Sequence, residues 1–175
     1  MLSLVGLPGS GKSTVGRQLA RRLQLGFVDS DKLLEERLGC SIRDYFERQG
    51  EAQFRDLEEA VIDELTREAD GVISTGGGAV MRSANRQHLH HRTKVLYLRS
   101  SPEDLYRRLR RDTQRPPLQV ADPLSRLREL HATRDPLYRQ TAHFVIETGR
   151  PSVATLVNMI VMQLELAGVL PGTTG

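Results

Sequence analysis

Residues 6–13, Gly6-Leu7-Pro8-Gly9-Ser10-Gly11-Lys12-Ser13, read GLPGSGKS, a complete GxxxxGK[ST] phosphate-binding loop. The apolar run Leu2 to Val5 precedes it and an amphipathic stretch follows, so a strand feeds a glycine-rich turn that opens a helix. Such a turn aims backbone N–H groups and the positive end of a helix dipole at one point, where two or three phosphates fit. Gly6, Gly9 and Gly11 keep Cβ atoms away from the phosphates, Lys12 reaches the β and γ oxygens, and Ser13 offers its hydroxyl to Mg²⁺. Only three of the 25 basic residues are lysines, so Lys12 in that slot is not background from a lysine-rich chain. A nucleoside triphosphate site is expected here.

Length and composition limit what can be attached to that loop. A chain of 175 residues with 38% hydrophobic residues supports one domain with a real core and excludes a second large one. The loop lies five residues from Met1, so no DNA-binding or targeting module is expected before it. No signal peptide is visible, and no apolar run approaches the ~18 residues of a membrane span. A lone cysteine, Cys40, forms no internal disulfide and suits a reducing cytoplasm. The net charge of +3 is local: Arg99 to Arg115 holds six arginines against Glu103, Asp104 and Asp112, a surplus equal to that of the whole chain. Beside a triphosphate site this cluster reads as a phosphate clamp, and no nucleic-acid partner is expected.

Periodicity divides the rest of the chain into alternating strands and helices. Helix spacing is expected over 14–23, 32–38, 41–49, 51–69, 82–89, from Pro102, from Pro123 to about Ala142 with a break or bend near Pro136, and over 152–166. Short strands are expected at Phe27–Val28, Val72–Ser74, Lys94–Leu98 and Phe144–Ile146. Asp29, Ser30 and Asp31 close the second strand, at the edge where open α/β sheets gather ligands, and Ser30 or Asp31 can also cap the following helix. The third strand ends in Thr75-Gly76-Gly77-Gly78 rather than in an aspartate, which moves any metal carboxylate to Asp29 or Asp31. The three glycines read as a close backbone approach to a ligand. His88, His90 and His91 lack metal spacing and read as a surface turn. Residues 112–122, with Arg115 followed by Pro116 and Pro117, read as a functional lid. The expected fold is α/β in three layers, a five-stranded parallel sheet with helices on both faces, over residues 1–168. Residues 169–175 are expected to be a disordered tail.

These stretches resemble the shikimate kinase family, small P-loop kinases of the nucleoside monophosphate kinase type. The likeness is carried by GLPGSGKST at 6–14, FVDSD at 27–31, GEAQFRDLE at 50–58, STGGGAV at 74–80, TQRPPL at 113–118 and RDPLY at 134–138, in the family's order and spacing. It implies transfer of the γ-phosphoryl group of ATP to the 3-hydroxyl of shikimate, in aromatic amino-acid biosynthesis, by a cytoplasmic monomer that needs Mg²⁺. It further implies that Gly9, Ser10, Gly11, Lys12, Ser13 and Thr14 hold the nucleotide phosphates. Ser13 and Asp29 correspond to the metal site and Arg115 to the lid arginine. Asp31, Arg55, Gly76, Gly77, Gly78 and Arg134 match the shikimate-binding set, with Phe46 and Phe54 as the apolar wall of the pocket. Arg108 and Pro151 resemble residues that flank the adenine. One departure stands out: this lid reads RPPL where the family more often has RPLL, and Pro117 stiffens it.

The chemistry of the residues agrees with that resemblance. Shikimate presents a carboxylate and three hydroxyls, so a receptor needs cationic forks and a fixed acceptor. Arg55 and Arg134 supply forks, Glu58 at helical spacing from Arg55 can hold its guanidinium, and Asp31 can orient the attacking hydroxyl. Lys12, Asp31 and Arg115 form the expected catalytic set. Two alternatives remain at this stage: another small-metabolite kinase, for gluconate or a nucleotide, or a sensing or nucleic-acid-binding domain that kept the fold without the chemistry.

Overall fold

The computed structural model describes residues 1–68, 70–111 and 121–171. Within them, β1 (Leu2–Val5), β2 (Gly26–Asp29), β3 (Gly71–Ser74), β4 (Lys94–Arg99) and β5 (Phe144–Glu147) form one sheet in the order β2-β3-β1-β4-β5. Every pairing is parallel. The helices are α1 (Lys12–Leu23), α2 (Ser30–Leu38), α3 (Ile42–Gln49), α4 (Glu51–Glu68), α5 (Ser83–Arg92), α6 (Pro102–Arg111), α7 (Pro123–Thr141) and α8 (Val153–Leu166), with a short 3₁₀ turn at Ala79–Met81. The expected three-layer architecture is the one observed. Because β1 lies between β3 and β4, the chain winds outward to both sides from it, and the loop after β1 opens into the crevice of the sheet's carboxyl edge.

Strand alternation sorts the core into two faces. Leu2 and Leu4 of β1, Leu96 and Leu98 of β4 and Ile146 of β5 pack with Val15 and Leu19 of α1 and Ile160 and Leu164 of α8. Val5, Val95 and Tyr97 face the other way, onto Ile62 of α4, Leu89 of α5, Leu105 of α6 and Leu127 and Tyr138 of α7. A smaller cluster under β3 joins Ile73 to Leu34 of α2 and Phe54, Val61 and Leu65 of α4, with Ile42, Tyr45 and Phe46 of α3 against it.

Four expectations need correction. The cap of α2 is neither Ser30 nor Asp31 but Asp29, whose Oδ1 accepts from the amides of Asp31 (3.0 Å) and Lys32 (3.2 Å). Helix α7 runs as one element through Pro136, because buried Leu127, Tyr138 and Thr141 hold both halves against the sheet. His90 and His91 belong to the last turn of α5, not to a surface turn, and His90 stacks on His143 with ring centroids 4.3 Å apart. Val169 and Leu170, assigned to the tail, pack on the core, and the Val169 amide donates to Leu164 O at 2.9 Å. Arg115, Pro117 and residues 112–120 of the lid, like 172–175 of the tail, lie outside the described residues.

Helix α1 approaches the sheet closely through Gly16, where a Cβ would stand 2.7 Å from Phe27 Cε2 and 2.9 Å from Leu4 Cδ1. Gly16→Val is therefore expected to lower unfolding free energy by about 1–3 kcal/mol through overpacking. Urea denaturation measures it, and an unchanged midpoint would contradict this account of how the loop helix is seated.

Candidate active site

The phosphate loop is built as its sequence requires. Gly9 and Gly11 adopt φ of 83° and 92°, the left-handed region, and the turn is closed by the Ser10 amide donating to Leu7 O at 3.1 Å. Helices α2, α3, α7 and α8 each have an N-terminus capped by a side chain, from Asp29, Ser41, Asp122 and Ser152. Helix α1 has Gly11 at that position, no side-chain cap and no acidic residue in its first turn. Its first amides and its dipole are thus left for an anion. Lys12 is buried, and its Nζ donates to Gly6 O (2.7 Å) and Leu7 O (2.9 Å), which folds the ammonium back over the loop.

Ser13 Oγ donates to Asp29 Oδ2 at 2.6 Å, so one carboxylate serves two elements: Oδ1 caps α2 and Oδ2 faces the loop helix. Hydroxyl and carboxylate side by side at a phosphate loop are hard oxygen donors of the type Mg²⁺ takes, with phosphate and water oxygens completing its shell. Among the described residues no group of three His, Cys, Asp or Glu could hold a metal by itself. The pair therefore fits a metal that arrives with a nucleotide.

A cleft of about 610 Å³ opens over the loop. Pro8, Gly9, Gly11, Lys12, Ser13 and Thr14 line it on one side, and Asp29, Asp31, Thr75, Gly76 and Gly77 line it on the other. Arg108 and Leu109 of α6 close one end. Arg108 binds the loop itself, Nη1 lying 3.5 Å from Gly9 O and 3.4 Å from Ser10 O, while Nη2 donates to Thr148 O at 2.9 Å. Pro151 sits in the bend before α8 and is not among the lining residues. Lys32 and Glu35, exposed on α2, line the cleft without having been singled out from sequence. Glu35 stands four residues from Asp31 on α2, the helical spacing that could have found it.

The three glycines are where the site comes together. A Cβ on Gly76 would collide with the Asp31 carboxylate, one on Gly77 would lie 2.6 Å from Pro8 Cδ, and one on Gly78 would collide with the Arg55 guanidinium. None of the three has the left-handed φ that glycine alone tolerates, so they are required for close approach and not for turn geometry. Arg55 is held by Glu58 Oε1 at 2.9 Å and, more loosely, by Glu51 Oε1 at 3.4 Å. Its guanidinium carbon lies 5.8 Å from the Phe46 ring centre and 5.4 Å from that of Phe54, and the two rings are 4.8 Å apart. Arg134, on α7, acts electrostatically on both Glu58 and Tyr138. Arg55 Nε and Glu58 Oε2 are buried without a hydrogen-bond partner, as groups that face a polar ligand are.

Burial sets the charges of this site. Desolvation, helped by the negative charges of Glu58 and Asp29 and opposed by Lys12 and Arg55, raises the Asp31 carboxyl to about 6. Glu58 is likewise pushed up by burial, against the pull of Arg55. A carboxyl whose affinity for its proton is higher in the fold than in the unfolded chain stabilises the fold fully below the unfolded value of 3.8, and that contribution is lost as pH rises through about 6. Asp31→Asn, which does not ionise, is therefore expected to be more stable than the parent at neutral pH by about 1–3 kcal/mol. The advantage should vanish below roughly pH 4, near the unfolded value. Calorimetry at both pH values checks this, and equal melting temperatures at neutral pH would refute it.

Comparison with known proteins bears on what the site is. The family model described as shikimate kinase matches residues 8–165. A shikimate kinase of Paracidovorax citrulli is 60% identical over 174 residues, covering 97% of this chain and 94% of its own. One of Ralstonia nicotianae is 58% identical over 166 residues, covering 95% and 87%. Among solved structures, shikimate kinase from Acinetobacter baumannii in complex with shikimate superposes with a TM-score of 0.88 at 44% identity, covering 97% of this chain and 94% of that one. With its phosphate loop, its glycine turn and nearly its whole length matched, the chain belongs to the shikimate kinase family.

Proposed function

We propose that this protein transfers the γ-phosphoryl group of ATP to the 3-hydroxyl of shikimate, giving shikimate 3-phosphate and ADP, as a cytoplasmic monomer in aromatic amino-acid biosynthesis. The observation that carries this reading is the glycine turn: Asp31, Pro8 of the phosphate loop and Arg55 converge on Gly76, Gly77 and Gly78. Asp31 lines the cleft over the phosphate loop and Arg55 packs on the same glycine turn, so an acceptor seated against both is brought beside the phosphates. The solved relative at 44% identity is a complex with shikimate, in keeping with the reading.

The chain's own groups divide the work. The uncapped amides of α1 bind the β and γ phosphates, and Lys12 swings from Gly6 O and Leu7 O to the transferring phosphate. Ser13 and Asp29 would hold Mg²⁺ arriving with the nucleotide, which would supply neutralisation of phosphate charge. Arg55 and Arg134 take the acceptor carboxylate, with Glu58 fixing Arg55 in the orientation that Phe46 and Phe54 allow. Asp31 accepts from the attacking hydroxyl and takes its proton as the new P–O bond forms and the bond to ADP breaks. With its carboxyl raised to about 6 it is ionised at neutral pH yet basic enough to receive a proton. Arg115 is assigned to charge neutralisation over the phosphate and Arg108 and Pro151 to the adenine side, both from the family resemblance.

An ADP-release assay run with shikimate, gluconate and nucleoside monophosphates tests the reading. Turnover is expected with shikimate alone, and activity on another acceptor without shikimate would end it. In the same assay Asp31→Asn is expected to lower kcat by about 10²-fold or more with little change in the KM for ATP. The parent's kcat/KM should rise with pH through about 6 as Asp31 ionises. Arg115→Ala should cost about 10³-fold in kcat if it acts as an arginine finger. A smaller loss, below about tenfold, assigns it to packing instead. No helix of the described residues is long and apolar enough to cross a membrane, and gel filtration tests the monomer.

A further inference from the structure

Behind the glycine turn lies a tyrosine that the acceptor chemistry does not use. Tyr138, on α7, is fully buried, and its hydroxyl donates to Gly77 O at 2.5 Å. The carbonyls on either side, Gly76 O and Gly78 O, accept from the backbone amides of Ala79 and Met81, both at 3.1 Å. The middle carbonyl is thus tied to a different element, the helix that carries Arg134. Tyr138 is itself fixed from beneath. Its ring packs on Tyr97 with centroids 4.9 Å apart, and the Tyr97 hydroxyl donates to Asp135 Oδ1 at 2.6 Å. Asp135 in turn receives Arg99 Nε at 3.3 Å and Arg139 Nε at 2.9 Å.

We propose that Tyr138 is a positioning residue for the acceptor, its hydroxyl holding the Gly76–Gly78 turn at the depth where Asp31, Pro8 and Arg55 can all pack on it. The turn has no side chains of its own with which to anchor itself, and a shift of a few tenths of an ångström would open the approach at Gly76 and Gly78. Burial raises the Tyr138 phenol to about 12, and Arg134 of the same helix pulls against it. Its un-ionised O–H remains a donor throughout the working pH range. The hydroxyl therefore links α7 and its acceptor arginine to the turn that touches the phosphate loop. Tyr138 shares α7 with Arg134 and makes its hydrogen bond to the turn rather than to the phosphate loop, so its loss should be felt in acceptor binding first.

This inference rests on the acceptor being shikimate, and the test separates the two. Steady-state kinetics of the full chain with ATP and shikimate are measured for the parent, Tyr138→Phe and Tyr97→Phe. Tyr138→Phe keeps the ring and removes one hydroxyl. Its KM for shikimate is expected to rise about five- to twentyfold, with the KM for ATP within about twofold and kcat within about threefold of the parent. Tyr97→Phe removes the neighbouring phenol of the same stacked pair and lowers the melting temperature comparably, but leaves the KM for shikimate within about twofold. An unchanged shikimate KM in Tyr138→Phe overturns the proposal while the parent's turnover keeps the functional reading. An equal rise in Tyr97→Phe also overturns it, by assigning the effect to general packing. A parent that does not phosphorylate shikimate overturns both.

Discussion

Three side chains from three different elements occupy the space that Cβ atoms would fill on Gly76, Gly77 and Gly78, and the working site depends on that exclusion. Asp31 comes from the start of α2, Pro8 from the loop after β1 and Arg55 from α4, and no one of them is near another in sequence. Repulsion at short range is steep, so a methyl group at any of these positions would displace a functional group by an amount larger than catalysis tolerates. The glycines are therefore a packing constraint that sets the distance between Asp31, Arg55 and the phosphate loop, and the parallel sheet is what brings the turn to the loop. β3 and β1 are hydrogen-bonded neighbours in the sheet, so the segments leaving their carboxyl ends must meet.

The charges at this junction are held against their own solvation. Glu58 is 1% exposed and Asp31 is largely removed from water, and burial pushes both carboxyls up. A buried ion pair such as Arg55–Glu58 adds little net stability, since desolvation offsets most of the attraction. What it does supply is orientation: Glu58 on one side and the Phe46 and Phe54 rings on the other leave the Arg55 guanidinium few directions to point. On the proposed reading, stability given up at Asp31 and Glu58 is exchanged for a preorganised receptor.

Side chains close the N-termini of α2, α3, α7 and α8, whereas that of α1 is open at the phosphate loop. The same Asp29 that closes α2 accepts from Ser13 in the first turn of α1, so the cap of one helix is joined to the anion end of another. Arg108 adds a further tie, crossing from the loop carbonyls to Thr148 just after β5. The loop is thus braced from both sides of the sheet, by β2 through Asp29 and by β5 through Thr148.

Residue spacing alone determined the phosphate loop, the five strands and most helix limits, because these follow from local rules: period in a strand or helix, glycine at a left-handed φ, serine at a cap. It also paired Arg55 with Glu58, since three residues apart on a helix is a contact by geometry. Helix α7 escaped those rules. Local propensity expects Pro136 to break it, yet burial of Leu127 and Tyr138 against the sheet outweighs one lost hydrogen bond. The choice of Asp29 over Ser30 or Asp31 as cap turned on where β2 ends, which is fixed by its register with β3 rather than by its own residues. Most of all, the order β2-β3-β1-β4-β5 and the meeting of Asp31, Pro8, Arg55 and Tyr138 at one glycine turn belong to the tertiary structure. Long-range contacts are settled by how layers pack, and a linear sequence carries the residues for them without the distances.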